Sequence, residues 1–187
     1  MQVIDTAIED VKILIPRRHG DERGFFCETY NREAIARLGI ECDWVQDNQA
    51  FSAERGVVRG LHFQLQPYAQ DKLVRVSRGA ILDVAVDIRP DSPTYGRHVA
   101  VELTADEGNQ LLVPIGFAHG YCTLVPDTEV LYKVSNFYAP DYERSVLWND
   151  PALAIPWPFG PADAILSEKD KNAPILSKVF ADEVKTK

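Results

Sequence analysis

A chain of 187 residues, 45% hydrophobic and 26% charged, has the size and composition of an ordinary globular protein that needs no staples, and residues 1–187 are expected to form one domain. The formal net charge of −8 argues against nucleic acid or an anionic membrane as the main partner, and leaves a small anionic ligand open wherever cations cluster. Cys27, Cys42 and Cys122 are odd in number and far apart, without metal-type or disulfide-framework spacing, so reduced thiols in the cytosol are expected.

Residues 1–10 carry acids where a secretory segment carries a basic region, and the apolar run 11–15 is too short for a membrane segment, so the protein is expected to be cytoplasmic. That run reads as a strand ended by Pro16, followed by a polar loop over 17–24 and renewed strand character over 25–30. Asn31 reads as an N-cap, with Glu33 in the first turn, Ile35 and Leu38 on one face and Gly39 at the stop, which predicts a short helix. Strand-like runs then fill most of the chain: 45–52, 57–64, 73–77, 80–88, 98–103, 110–113, 120–124 and 130–134. In the run 80–88, Leu82, Val84, Val86 and Ile88 share one face and Ile81, Asp83, Ala85 and Asp87 the other, the pattern of a half-buried antiparallel strand. Beyond Trp148 the chain loosens into Pro151, Pro156, Pro158 and Pro161, then offers Ser167 as the start of a second short helix, limited by Pro174. Many short strands with Gly and Pro turns, and no strand–helix alternation, predict an all-β protein: an antiparallel jelly roll or barrel of cupin type with a few short helices.

Chemistry concentrates in Arg59-Gly60-Leu61-His62-Phe63-Gln64 and Gln70-Asp71-Lys72-Leu73-Val74. If the two strands are neighbours in one sheet, His62 and Lys72 converge on a common cavity. A neutral imidazole beside a fixed ammonium suits proton abstraction next to a carbonyl, because the cation stabilises the enolate oxygen that develops. Three residues from His62, Arg59 faces the opposite side of a regular strand; a bulge at Gly60 brings it round. The string Pro114-x-Gly116-x-x-His119 resembles the second cupin motif, whose histidine often binds metal. The first cupin motif, His-x-His, here reads His62-Phe63-Gln64, so a metal site is poorly supplied and a metal-free cupin is expected. His119 reads either as a ligand contact or as a structural histidine. Tyr132, among core-facing valines, reads on local sequence as a buried tyrosine with a partner for its hydroxyl. Asp170 reads as the acid of a Ser-x-x-Asp capping box begun by Ser167, and Arg23 as solvated surface.

Taken in order, these strings resemble the dTDP-4-dehydrorhamnose 3,5-epimerases, a family of RmlC-type sugar-nucleotide epimerases within the cupins. The resemblance extends to Gly20-Asp21-Glu22-Arg23-Gly24-Phe25-Phe26, Gln46-Asp47-Asn48, Leu131-Tyr132-Lys133, Asn149-Asp150-Pro151 and Leu166-Ser167-Glu168-Lys169-Asp170, nearly the whole chain. It implies that His62 removes protons from the carbons flanking the 4-keto group of a dTDP-4-keto-6-deoxyhexose, with Asp170 paired to its imidazole. Tyr132 then returns a proton from the opposite face and Lys72 stabilises the enolate oxygen. The resemblance further implies that Arg23 and Arg59 grip the diphosphate, that Glu28, Gln46, Asp47, Asn48, His119, Glu143 and Lys169 line the substrate site, and that Tyr138 stacks on the thymine. A homodimer that shares strands, with no cofactor and no metal, completes the expectation. Its rivals are an epimerase acting at one carbon only, a metal-dependent cupin enzyme and a non-catalytic sugar-binding cupin.

Overall fold

The computed structural model describes residues 1–180. Thirteen strands and a few short helices follow one another in these residues. The first four strands are β1 (Gln2–Asp5), β2 (Lys12–Ile15), β3 (Arg18–Asp21) and β4 (Gly24–Cys27). Helix α1 (Arg32–Ala36) comes next, with Asn31 accepting at its cap from the Ala34 N–H at 3.1 Å, as the sequence predicts. The chain continues through β5 (Gln46–Ser52), β6 (Val58–Gln64), β7 (Lys72–Arg78), β8 (Ala80–Asp87) and β9 (His98–Thr104). It then runs through β10 (Gln110–Val113), β11 (Phe117–Thr123), β12 (Thr128–Val134) and β13 (Glu143–Ser145), and ends in α2 (Glu168–Lys171) and α3 (Leu176–Val179).

Two antiparallel sheets face each other. One has the order β1-β2-β10-β7-β12-β5 and the other β13-β6-β11-β8-β9; late strands inserted between early ones are the mark of a jelly roll. The space between the sheets is filled by Val74 and Val76 of β7, Ile81 and Ala85 of β8, Leu111 of β10, Phe117 and Tyr121 of β11 and Val130 of β12. Strands β3 and β4 pair only with each other and belong to neither large sheet.

Three expectations need correction. First, β8 is not half-buried: Ile81, Asp83, Val84, Ala85, Val86 and Asp87 are all buried. The face with Ile81 and Asp83 looks into the barrel, and the face with Val84 and Val86 is covered by Leu153, Leu176 and Val179 of the proline-rich C-terminal segment. That segment is pinned by Asp150, whose carboxylate accepts from the backbone N–H of Ala152 at 3.0 Å and of Leu176 at 2.8 Å. Secondly, the loop read over 17–24 contains β3, a strand whose residues stay largely exposed. Thirdly, β6 and β7 lie in different sheets, so His62 and Lys72 meet across the barrel rather than along one sheet. Among the described residues no helix is long and apolar enough to cross a membrane.

Candidate active site

The site is seeded by a glycine. Gly60 has φ +122°, and a Cβ there would stand 2.5 Å from Gly120 Cα and 2.7 Å from the carbonyl oxygen of His119, so β6 can approach β11 this closely only without a side chain. The Gly60–Leu61 peptide bond is cis. Register breaks at the same point: His62 stands opposite His119, but Arg59 stands opposite Tyr121, so β6 spends one extra residue over this stretch. The bulge brings Arg59 and His62 to one cavity of about 480 Å³, as the sequence argument requires.

Asp170, from α2, joins that cavity. Its carboxylate takes Nε2 of His62 at 2.6 Å. Burial alone would raise the Asp170 carboxyl, but the bond to His62, the attraction of that imidazole and the contacts with Ser167 and the Gly60 backbone together outweigh it and lower the group from its ordinary value. With Nε2 engaged by a carboxylate, the neutral imidazole carries its lone pair on Nδ1.

From the facing sheet come Lys72 of β7 and Tyr132 of β12. Lys72 is 8% exposed, and its Nζ donates to the carbonyl oxygen of His62 at 3.3 Å. Burial pushes its ammonium down to about 8, against the pull of Asp83 and Glu143. Burial likewise raises the Tyr132 hydroxyl, which therefore keeps its proton at neutral pH. A second cavity of about 280 Å³ adds Gln46, Asn48, Gln64, Tyr138 and Glu143 and shares His62, Lys72 and Tyr132 with the first. These three side chains thus stand at the junction, the imidazole on one wall and the phenol and ammonium on the other.

The rim is wired by charge. Tyr138 donates its hydroxyl to Glu143 at 3.0 Å, and Lys169 meets the same carboxylate at 2.6 Å. Burial would raise the Glu143 carboxyl, and these two donors bring it below its ordinary value. His119 is a core residue that also lines the cavity: Nε2 lies 2.8 Å from Asp83 Oδ1, and burial lowers its tendency to protonate. Gln64, where a metal-binding cupin has its paired histidine, is a clamp instead. Its amide donates to the carbonyls of Tyr68 and Phe137 and accepts from the N–H of Ala139. Among the described residues no group of three or more His, Cys, Asp or Glu could hold a metal ion.

Four expected site residues lie outside both cavities: Lys169, on the rim beside Glu143, and three others set further away. Asp47 sits on the outward face of β5, bonded to Lys133 at 2.8 Å, because strand alternation turns only Gln46 and Asn48 inward. Arg23 occupies the β3–β4 turn, its side chain 83% exposed and paired with Asp21. Glu28 follows β4 and accepts from Asn31. Sequence reasoning passed over Asp83 and Tyr121, both at the barrel floor. An acid alternating with aliphatic residues in the run 80–88 was the available signal.

Comparison with known proteins agrees with this geometry. Residues 5–178 match the family described as dTDP-4-dehydrorhamnose 3,5-epimerase. The chain is 50% identical over 184 residues to the dTDP-4-dehydrorhamnose 3,5-epimerase of Salmonella typhimurium, covering 98% of this chain and 100% of that one. Among solved structures, the enzyme of that name from Bacillus anthracis, with TDP and PPi bound, is 53% identical with a TM-score of 0.90, covering 93% of this chain and 98% of its own. A dTDP-6-deoxy-D-glucose-3,5-epimerase from Legionella pneumophila, in complex with dTDP-4-keto-L-rhamnose, is 43% identical with a TM-score of 0.92, covering 97% and 95%. The fold is thus shared with these proteins, and the chain belongs to the dTDP-4-dehydrorhamnose 3,5-epimerase family.

Proposed function

We propose that the protein inverts C3 and C5 of dTDP-4-dehydro-6-deoxy-D-glucose to give dTDP-4-dehydro-L-rhamnose, the epimerisation step of dTDP-L-rhamnose biosynthesis. The carrying observation is that His62, backed by Asp170, and Tyr132 enter one cavity from opposite sheets, with Lys72 lining the same cavity from the Tyr132 side. Nδ1 of His62 takes the proton from a carbon beside the 4-keto group, and the electron pair moves into the carbonyl to form an enolate. Lys72 stabilises the oxyanion. Tyr132 gives a proton to the other face of the same carbon, which inverts it, and takes a proton back from solvent, while Asp170 stabilises the imidazolium until its own proton is lost to solvent. The same steps at the second flanking carbon complete the reaction, with no change of oxidation state.

In this reading Arg59 binds the diphosphate at the cavity mouth, Tyr138 stacks on the thymine, and Gln46, Asn48, His119, Glu143 and Lys169 line the way between. We further propose a homodimer in which the β3–β4 hairpin reaches the neighbouring subunit's cavity, carrying Arg23 and Glu28 to the nucleotide, with Asp47 beside it on the exposed edge strand β5. The hairpin's separation from both sheets and the exposure of Phe25 and Phe26, at 62% and 69%, support this arrangement. The unpaired thiols of Cys27, Cys42 and Cys122 support a cytoplasmic site of action.

The test is NMR of dTDP-4-keto-6-deoxyglucose with the protein in heavy water. Deuterium at C3 and C5 with inverted product is the expected result. Exchange at one carbon alone would make it a single-centre epimerase, and absence of exchange in folded protein would overturn the assignment.

A further inference from the structure

Beneath His62 the barrel floor holds a carboxylate that the scheme above leaves idle. Asp83 of β8 has none of its surface exposed and sits among the aliphatic residues of the interior. Oδ1 takes Nε2 of His119, while Oδ2 and the hydroxyl of Tyr121, its register partner on β11, are buried without a hydrogen-bond partner among the described residues. Such a group does not earn its place through stability. Replacing a buried ionic pair with well-packed apolar residues is often neutral or stabilising, so a retained half-satisfied carboxylate points to a task for its charge.

Its surroundings say which task. The titratable and charged groups lining the cavities around Lys72 are His62 and Arg59 of β6, Tyr132 of β12, His119 and Tyr121 of β11, Tyr138, Glu143 of β13 and Asp170 of α2, with Lys169 of α2 on the rim and Asp83 of β8 directly behind His119. Glu143 is already shared between Lys169 and the Tyr138 hydroxyl, and Asp170 is committed to His62. Asp83 is the carboxylate on the floor with an oxygen still free. Of the charges acting on Lys72 it is also the strongest in favour of the ammonium, opposing a burial that otherwise drives the proton off.

We propose that Asp83 is a positioning residue for the reaction: its buried carboxylate is the counter-charge that keeps Lys72 an ammonium in a dry cavity, and it fixes His119 with Nε2–H turned inward, leaving Nδ1 as an acceptor for a sugar hydroxyl. The inference rests on the role given to Lys72 above. Asp83→Asn separates its parts, since the amide keeps shape and an acceptor for His119 but removes the charge. In ligand-free protein labelled with ¹³C at lysine Cε, the Lys72 midpoint should fall by about one pH unit or more in Asp83→Asn. The alkaline limb of kcat should fall with it. In a Lys72→Ala background the same substitution should cost less than about twofold in rate, because the group it acts through is gone. If Asp83→Asn folds poorly, Asp83→Asn with His119→Gln, which places two amides face to face, serves for the lysine titration. An unchanged Lys72 midpoint, or a rate loss undiminished in the Lys72→Ala background, would overturn the proposal. Because the titration is read without any sugar, it answers independently of which substrate the enzyme accepts.

Discussion

The carboxylate of Asp170 takes Nε2 of His62 at 2.6 Å while the backbone N–H of Asp170 is held by Ser167 Oγ at 3.1 Å. In a capping box the acid side chain returns to the cap residue's own N–H; here it has been diverted to the imidazole. The two roles can therefore be separated. Asp170→Asn should lower kcat by about 10²–10⁴-fold with a much smaller change in KM, by freeing the wrong tautomer and removing support for the imidazolium. Ser167→Ala should cost about 1 kcal/mol of stability and far less rate. Steady-state kinetics with thermal unfolding of both variants checks this, and a stability loss with unchanged turnover in Asp170→Asn would make it a mere cap.

Tyr132→Phe should uncouple exchange from inversion. The ring still fills its place on β12 beside Val130 and Val134, so folding should hold. Proton abstraction by His62 survives, but the acid on the facing wall is gone. In heavy water the variant should wash deuterium into the substrate with little inverted product. Inversion at the wild-type rate would assign the second proton to another group.

Lys72 predicts opposite pH trends for catalysis and stability. Its ammonium, pushed down to about 8, loses its proton above that pH, so kcat should fall there as the enolate loses its cation. The unfolded chain holds the same proton up to the ordinary lysine value of 10.5, so between these values the unfolded state binds more protons than the folded one. The contribution of Lys72 to stability must then rise with pH across that window. Comparing unfolding free energies of wild type and Lys72→Met from pH 7 to 11 reads this directly: the value for wild type minus that for the variant should rise, and one that falls or stays flat would place the alkaline limb elsewhere.

Arg23→Ala and Arg59→Ala should each weaken dTDP binding, Arg59→Ala by roughly 1.5–3 kcal/mol, the worth of a charge-assisted contact. They differ in what rescues them. If the hairpin serves the neighbouring cavity, mixing Arg23→Ala protein, impaired at low substrate, with inactive His62→Ala protein should raise activity at low substrate, since one site of the mixed dimer has both residues intact. Arg59→Ala mixed with His62→Ala should not recover beyond the level of Arg59→Ala itself.

Gly60→Ala should destabilise the protein by about 2–4 kcal/mol, because the new methyl collides with the backbone of Gly120 and the backbone resists a side chain at φ +122°. Activity should drop as well, since Arg59 and His62 owe their common side to this position. Urea titration and turnover measure the two effects. A stable, active Gly60→Ala protein would show that the bulge does not depend on glycine.

Much of this was legible beforehand because strand period, caps and turn residues act locally. Asn31 caps α1, and a glycine between Arg59 and His62 announces the bulge. What was not legible depends on partners distant in sequence. Nothing in the run 80–88 says that residues near 153 and 176–179 will cover its second face, so a strand buried on both sides reads as half-buried and Asp83 reads as polar surface. Whether β6 and β7 share a sheet is likewise settled by β11 and β10 inserting beside them. The polar residues of β3 hide a strand whose pairing with β4 is the whole of its structure.

His62 and Asp170 are separated by 108 positions, and Ile165, on the way to Asp170, bridges to Val57 at the entrance of β6. During synthesis the ribosome delivers the base 108 residues ahead of its carboxylate. A nascent chain that has emerged through β12 holds His62, Lys72 and Tyr132 but lacks the group that orients the imidazole and the segment that walls the cavity. Catalytic competence is thus withheld until α2 has been made, and a chain terminated before α2 would lack a working base.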